Sequence, residues 1–189
     1  MKLIPLVSTC VLAGLAGAAH AADTYTIDPN HTFPSFEVTH LGWSTFRGRF
    51  DKTSGTVTLD MAKKTGSADI SIDVASISTG VDKLNEHLRT PDFFDAAKFP
   101  TITFKSNTFK FEGDKLASIT GDLTMHGVTK PVTLTVDSIK CGPHPFMKVP
   151  ACGAGAHAVI KRTDWGIGTY PPNIVGEEIT LRIQIEAHE

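Results

Sequence analysis

Cysteine is scarce in this chain, and so are aromatic rings with a polar handle: its 189 residues hold three Cys, two Tyr and two Trp. Only Cys141 and Cys152 fall after residue 21, and they do not form the C-x-x-C of a thiol redox centre; an even pair points to a structural disulfide closing a short Pro-containing loop. After residue 21 no stretch approaches the ~20 consecutive apolar residues of a membrane-spanning helix. Basic clusters are missing too. With a formal net charge of −2 and no stripe of Lys and Arg among aromatics, nucleic acid is excluded as a partner. Gly-x-Ser-x-Gly is absent, as is a glycine-rich loop opening a helix, so neither a nucleophile elbow nor a phosphate cradle is present. His31, His40, His87 and His126 lack the i, i+4 or short Cys/His spacing of a zinc site, and no metal is expected. No catalytic residue suggests itself.

The chain does have an N-terminal address. Lys2 precedes a small, apolar run from Leu3 to Ala18, and Ala19-His20-Ala21 fits an A-x-A cleavage site. Residues 1–21 therefore read as a cleaved signal peptide and 22–189 as one exported domain with disulfide-permissive, periplasmic surroundings. From Tyr25 onward, period-two alternation dominates. Ser67 to Val74 is the clearest case, with every even position apolar. Similar pairs recur at Phe36 and Val38, Ile102 and Phe104, Val132 and Leu134, and Ile179 to Ile185, separated by turn chemistry such as Ser54-Gly55, Glu112-Gly113-Asp114 and His126-Gly127. Only Val81, Leu84 and Leu88, at i, i+3 and i+7, break the rhythm, predicting one short helical excursion near residues 81–97. The class is all-β. A one-faced antiparallel sheet must close or stack, and the absence of a Cys…Trp…Cys pattern disfavours an immunoglobulin-like sandwich, leaving a barrel of about eight strands.

All eleven Phe lie after residue 21. Rings without polar atoms suit a dry wall, though composition alone leaves open whether they fill a solid core or line a cavity.

Certain blocks carry a resemblance. They are Ile27-Asp28-Pro29 with His31, Phe36 to Gly42, Phe46-Arg47-Gly48, His87-Leu88-Arg89 with Asp92-Phe93-Phe94, and Phe99-Pro100 before Phe104-Lys105-Ser106. Gly121 to Thr124, Gly127 to Val132, and Arg162 with Asp164-Trp165-Gly166 complete the set. In their order and spacing the chain resembles the YceI-like family of exported polyisoprenoid-binding proteins over essentially all of residues 22–189. The resemblance implies a lipocalin-like barrel holding an isoprenoid lipid, such as a quinone or prenyl phosphate, with no catalytic cofactor. It leaves room for transient membrane contact and a homodimer. Leu84 stands where a polar residue is usual, and the Cys141 to Cys152 loop looks like a local addition.

The expected lumen residues are Phe36, Val38, His40, Phe46, Ile70, Ile72, Val74, Leu84, Leu88, Phe93, Phe94, Ile102, Phe104, Leu123 and Leu134. Lys83 and Arg89 are the candidates for a head group, although an ion pair to Asp92 or Asp95 is the plainer reading of Arg89. His126, beside Gly127, is expected as an exposed turn residue. Two rival functions stay open: a non-catalytic, stress-related interaction module with a solid core, and a hydrolase of a lipid or small ester.

Overall fold

The structure is a computed structural model and describes residues 22–189; the signal peptide read at 1–21 lies outside the described residues. Alternation builds the wall as expected. In β5 (Thr65–Asp73), Ala68, Ile70 and Ile72 are buried while Asp69 is exposed. The other strands are β1 (Asp23–Ile27), β2 (Ser35–His40), β3 (Ser44–Phe50), β4 (Thr53–Asp60), β6 (Ile77–Ser78), β7 (Thr101–Glu112), β8 (Lys115–Met125), β9 (Val128–Pro143), β10 (Pro150–Lys161) and β11 (Val175–His188). Every pairing is antiparallel, in the order β1-β4-β5-β7-β8-β9-β10-β11, and β11 returns to β1 to close an eight-stranded barrel. Strands β2, β3 and β6 continue the sheet beyond β11, as the second pieces of long strands broken at residues 28–34, 51–52 and 74–76.

Closure has a weak seam. β1 and β11 share only the pairs Thr26↔His188 and Ile27↔Ala187 before β1 ends, and β2 takes over β11 at Arg182. Between these, fully buried Thr32 does the work of a missing strand residue. Its hydroxyl donates to the Glu186 carbonyl at 3.0 Å and accepts from the Glu186 N–H at 3.1 Å. Asp28 shapes the turn before it: one carboxylate oxygen accepts from Asn30 N–H and the other meets His31 Nδ1 at 2.7 Å. That bond lowers the Asp28 pKa and raises that of His31.

Ser54-Gly55 is not a turn. Both residues lie inside β4, where Gly55 has φ +136° and a Cβ would fall 2.1 Å from the Asp69 carbonyl oxygen. Glycine serves here for a close backbone approach, a demand that resembles turn chemistry in sequence. His126-Gly127 is a turn, but His126 is only half-exposed: its ring packs on Phe99 and its Nδ1 lies 3.1 Å from the Trp165 carbonyl oxygen.

The helical excursion is shorter than expected: α1 covers only Asp82–Leu88. Thr90 precedes Pro91, which disfavours helical backbone at Thr90, and the Thr90 hydroxyl caps the His87 carbonyl at 2.7 Å. The rest of 81–97 is tight turns. Cys141 and Cys152 are cross-strand partners in the β9–β10 hairpin and are joined by a disulfide.

Two expectations follow from the seam. Thr32→Val keeps the shape but leaves the Glu186 N–H unpaired, while the Glu186 carbonyl keeps the Asp28 N–H at 2.9 Å, and should cost about 1–2 kcal/mol in urea unfolding; a loss below about 0.5 kcal/mol would remove Thr32 from this role. The Asp28 contribution is lost as pH falls through its lowered pKa, and that of His31 as pH rises through its raised one. Residue-resolved NMR titration should therefore place His31 above 6.5; a value at or below 6.5 would contradict the pairing.

Candidate ligand-binding lumen

The inward faces do not meet. They enclose an apolar cavity of about 230 Å³. That volume is close to the ~300 Å³ of the smaller ligand pockets. Walls that should be core are accordingly only half-buried: Ile179, Leu181, Ile183 and Ile185 alternate along β11 and face the void.

Eleven of the expected residues line this space. From the strands come Phe36 and Val38, Ile70 and Ile72, Ile102 and Phe104, Leu123 and Leu134; the segment after β6 adds Leu88, Phe93 and Phe94. Phe94 lies 6.4 Å from the Phe36 ring and 5.7 Å, edge-on, from Phe50, so three rings close the helical end. Beside them Phe93 stacks on Tyr170 at 5.3 Å. Alternation in β11 was visible in the sequence but was not followed into the site. The small residues Ala154 and Ala156 of β10 also line the lumen, with bulk too low for an apolar pattern to flag them.

Four expected residues sit elsewhere. His40 and Phe46 share the face of Val38, since Phe46 is the register partner of Val38, but the β2–β3 hairpin overshoots the rim. His40 packs edge-on against Phe46 at 5.2 Å, outside the cavity. Val74 is buried in a 3₁₀ turn after β5 ends, below the wall. Leu84 packs on the core one turn before Leu88 and does not reach the void.

Lys83 is exposed on α1. Arg89 makes no ion pair with Asp92 or Asp95: Asp92 is taken by His87 at 3.1 Å, and Arg89 donates from Nη2 to the Ile77 carbonyl at 3.3 Å while its buried Nε has no partner. The turn from Thr90 folds back so that Asp92 faces α1, a reversal that spacing alone does not reveal.

Two glycines keep the lumen open. A Cβ at Gly48 would lie 2.5 Å from the Phe36 ring, and one at Gly66 2.6 Å from the Phe109 ring. Each ring can therefore lie against a neighbouring backbone instead of crossing the void. Polar atoms of the lining residues are already engaged. Tyr25 OH reaches Asp23 at 3.4 Å, Ser35 Oγ donates to the Arg182 carbonyl at 3.1 Å, and Cys152 is in the disulfide. Among the described residues no three His, Cys, Asp or Glu converge as a metal site.

The sequence and fold now have counterparts. The YceI-like domain model matches residues 25–187. The chain belongs to the YceI-like family. It is 41% identical to the protein YceI of Escherichia coli over 176 residues, covering 90% of this chain and 89% of the relative. BcnA of Burkholderia cenocepacia superposes with a TM-score of 0.72 at 28% identity, over 85% of this chain and 99% of that one. A polyisoprenoid binding domain from Saccharophagus degradans superposes with a TM-score of 0.64 at 18% identity, over 87% and 97% of the two chains, a likeness of fold.

In this YceI-like barrel the one charged lining residue among those described is Arg162, which residue-by-residue reading did not single out as a site residue. It is buried at the end of β10 and donates from Nε to Gly176, from Nη1 to Ile167 at 2.6 Å, and from Nη2 to Tyr170 and Val175, all backbone carbonyls. Burial lowers its pKa, with Glu177 opposing that effect. A guanidinium stays charged regardless. The side chain thus ties residues 167–176, including the carbonyl beside the Tyr170 ring, to the barrel end. Arg162→Met should cost about 2–4 kcal/mol and speed amide exchange across 167–176; unchanged exchange there would show that the loop is held by other means.

Proposed function

We propose that this protein binds and carries, or sequesters, a long isoprenoid lipid in its lumen, as an exported, periplasmic protein. The observation that supports the reading is an apolar cavity inside a closed barrel, with the polar atoms of its wall already bonded to protein. Such a wall recognises a hydrocarbon by area and shape. Each five-carbon unit buried contributes roughly 3–4 kcal/mol gross at ~0.8 kcal/mol per carbon, so a few units suffice for retention after ordering costs. The polyisoprenoid-binding description of the Saccharophagus degradans domain, which shares the fold, agrees with this cargo. Because the wall has few free hydrogen-bond donors, the head group, a quinone or a prenyl phosphate, stays at the helical end. There Lys83 and the incompletely satisfied Arg89 are the cations to meet it. A hydrolase would need a nucleophile and a base facing the cargo, and among the described residues no such pair lines the lumen.

Protein purified without detergent should release a long-chain isoprenoid in native mass spectrometry. Ala156→Phe fills the void and should abolish that species while leaving stability unchanged or higher. In a solid core the same substitution would overpack, at about 1–3 kcal/mol. A lipid-free wild type together with a destabilised Ala156→Phe would instead support the solid-core interaction module.

A further inference from the structure

Nine consecutive residues, Val38 to Phe46, carry no Asp, Glu, Lys or Arg. They form the tip of the β2–β3 hairpin, which stands past the rim at the end closed by Phe93 and Phe94. At the tip Trp43 is 88% exposed, and Leu41 and Phe46 are exposed beside it; Val81, just before α1 at the same end, is exposed as well. The turn itself is strained, since Leu41 holds φ +54°, a conformation costly for a branched side chain, ahead of Gly42 at φ +72°. A backbone bond from Leu41 N–H to the Ile174 carbonyl at 2.9 Å fixes the tip to the rim.

We propose that this hairpin docks the protein on the surface of a lipid bilayer, setting the helical end of the lumen against the membrane that holds its cargo. The proposal rests on the lipid-carrier reading. The occupant is a bilayer and not a second copy or a protein, because the four side chains offer on the order of 400 Å² against about 800 Å² per partner in a stable interface. They also sit on a projecting tip, not a flat face. Indole has an apolar body and one N–H, the chemistry enriched where headgroups meet acyl chains. The charges flanking the hairpin sit at its base, where Arg47 pairs with Glu37 at 2.9 Å, and Asp82 and Lys83 beside Val81 are exposed, so they can stay in the headgroup layer when the tip inserts.

The chain supplies its own reporter. Its other tryptophan, Trp165, is 2% exposed and bonded to the Leu123 carbonyl, so iodide-quenchable emission comes from Trp43. Vesicles of equal parts phosphatidylethanolamine and phosphatidylglycerol should blue-shift that emission, protect it from iodide and co-sediment with the protein even at high salt. Trp43→Ser should lower co-sedimentation at least tenfold. Leu41→Asn, which suits the left-handed turn, keeps the hairpin folded and should lower it as well. Emission that stays blue-unshifted and quenchable at saturating vesicles overturns the proposal, as does protection that appears with protein concentration alone, the sign of self-association. Uptake of an isoprenoid delivered from solution tests the carrier reading separately: Trp43→Ser should retain it while losing uptake from vesicles. Failure of uptake in both forms, with docking intact, would fault the cargo and leave the membrane contact standing.

Discussion

An apolar cavity inside a protein survives only if the wall around it leaves no polar group asking for water. Every backbone N–H and C=O of the barrel must find a partner within the wall, because an orphan facing the lumen would cost about as much as a lost buried hydrogen bond or draw solvent inside. Seven of the eight joints meet that demand with long antiparallel ladders. At the eighth β1 stops after two rungs, and the Thr32 hydroxyl acts as both donor and acceptor toward Glu186. The same accounting explains Arg162: the carbonyls of a loop that makes few strand pairs converge on one guanidinium.

Leaving the centre empty sacrifices dispersion contacts that a filled core would make, so the lining is under-packed by design of the sequence. Gly48 and Gly66 show how: each removes a Cβ so that a Phe can lie flat on the wall. The void also makes stability depend on occupancy. A ligand bound to the folded state alone stabilises it by mass action, so the rings lining an empty lumen recover their missing contacts when cargo arrives.

How much of this was legible in the sequence depends on what alternation encodes. Parity in Ser67 to Val74 gives the face of each side chain, and it correctly turned Ile70, Ile72, Ile102 and Phe104 inward. It does not give depth along the axis. His40 and Phe46 have the right parity and still fall outside, because nothing in a strand's own residues marks where its neighbours end. Nor does parity distinguish hollow from solid, since both need the same inward faces; the family resemblance tipped that choice toward a cavity. Gly55 was read as a turn because glycine serves turns and close approaches alike. For Arg89, a head-group candidate, spacing makes an ion pair to Asp92 or Asp95 the plainer reading, whereas the Thr90-Pro91 turn swings Asp92 to His87. Arg162 hides for a different reason: its partners are carbonyls, which every residue carries.

The two ends of the barrel differ in how they are tied. At one, β4–β5, β7–β8 and β9–β10 close by compact connections flanked by ladder rungs, and the last carries the disulfide. At the other, the long segments 79–100 and 162–174 cover the lumen with side chains and few backbone rungs. Their mutual hold is a cluster in which His87 on α1 meets both Asp92 and the Tyr170 hydroxyl, at 3.1 and 3.3 Å, while Phe93 stacks on the Tyr170 ring. Local opening concentrates where exposed hydrogen bonds and few apolar contacts do the holding. On the proposed carrier reading, a cargo longer than the void would pass where the wall can part without breaking a ladder, at the helical end between Phe93 and Tyr170. The cations proposed for the head group and the apolar hairpin tip stand at that same end, so the proposed loading, head-group contact and membrane docking would all draw on one asymmetry in how the strands are joined.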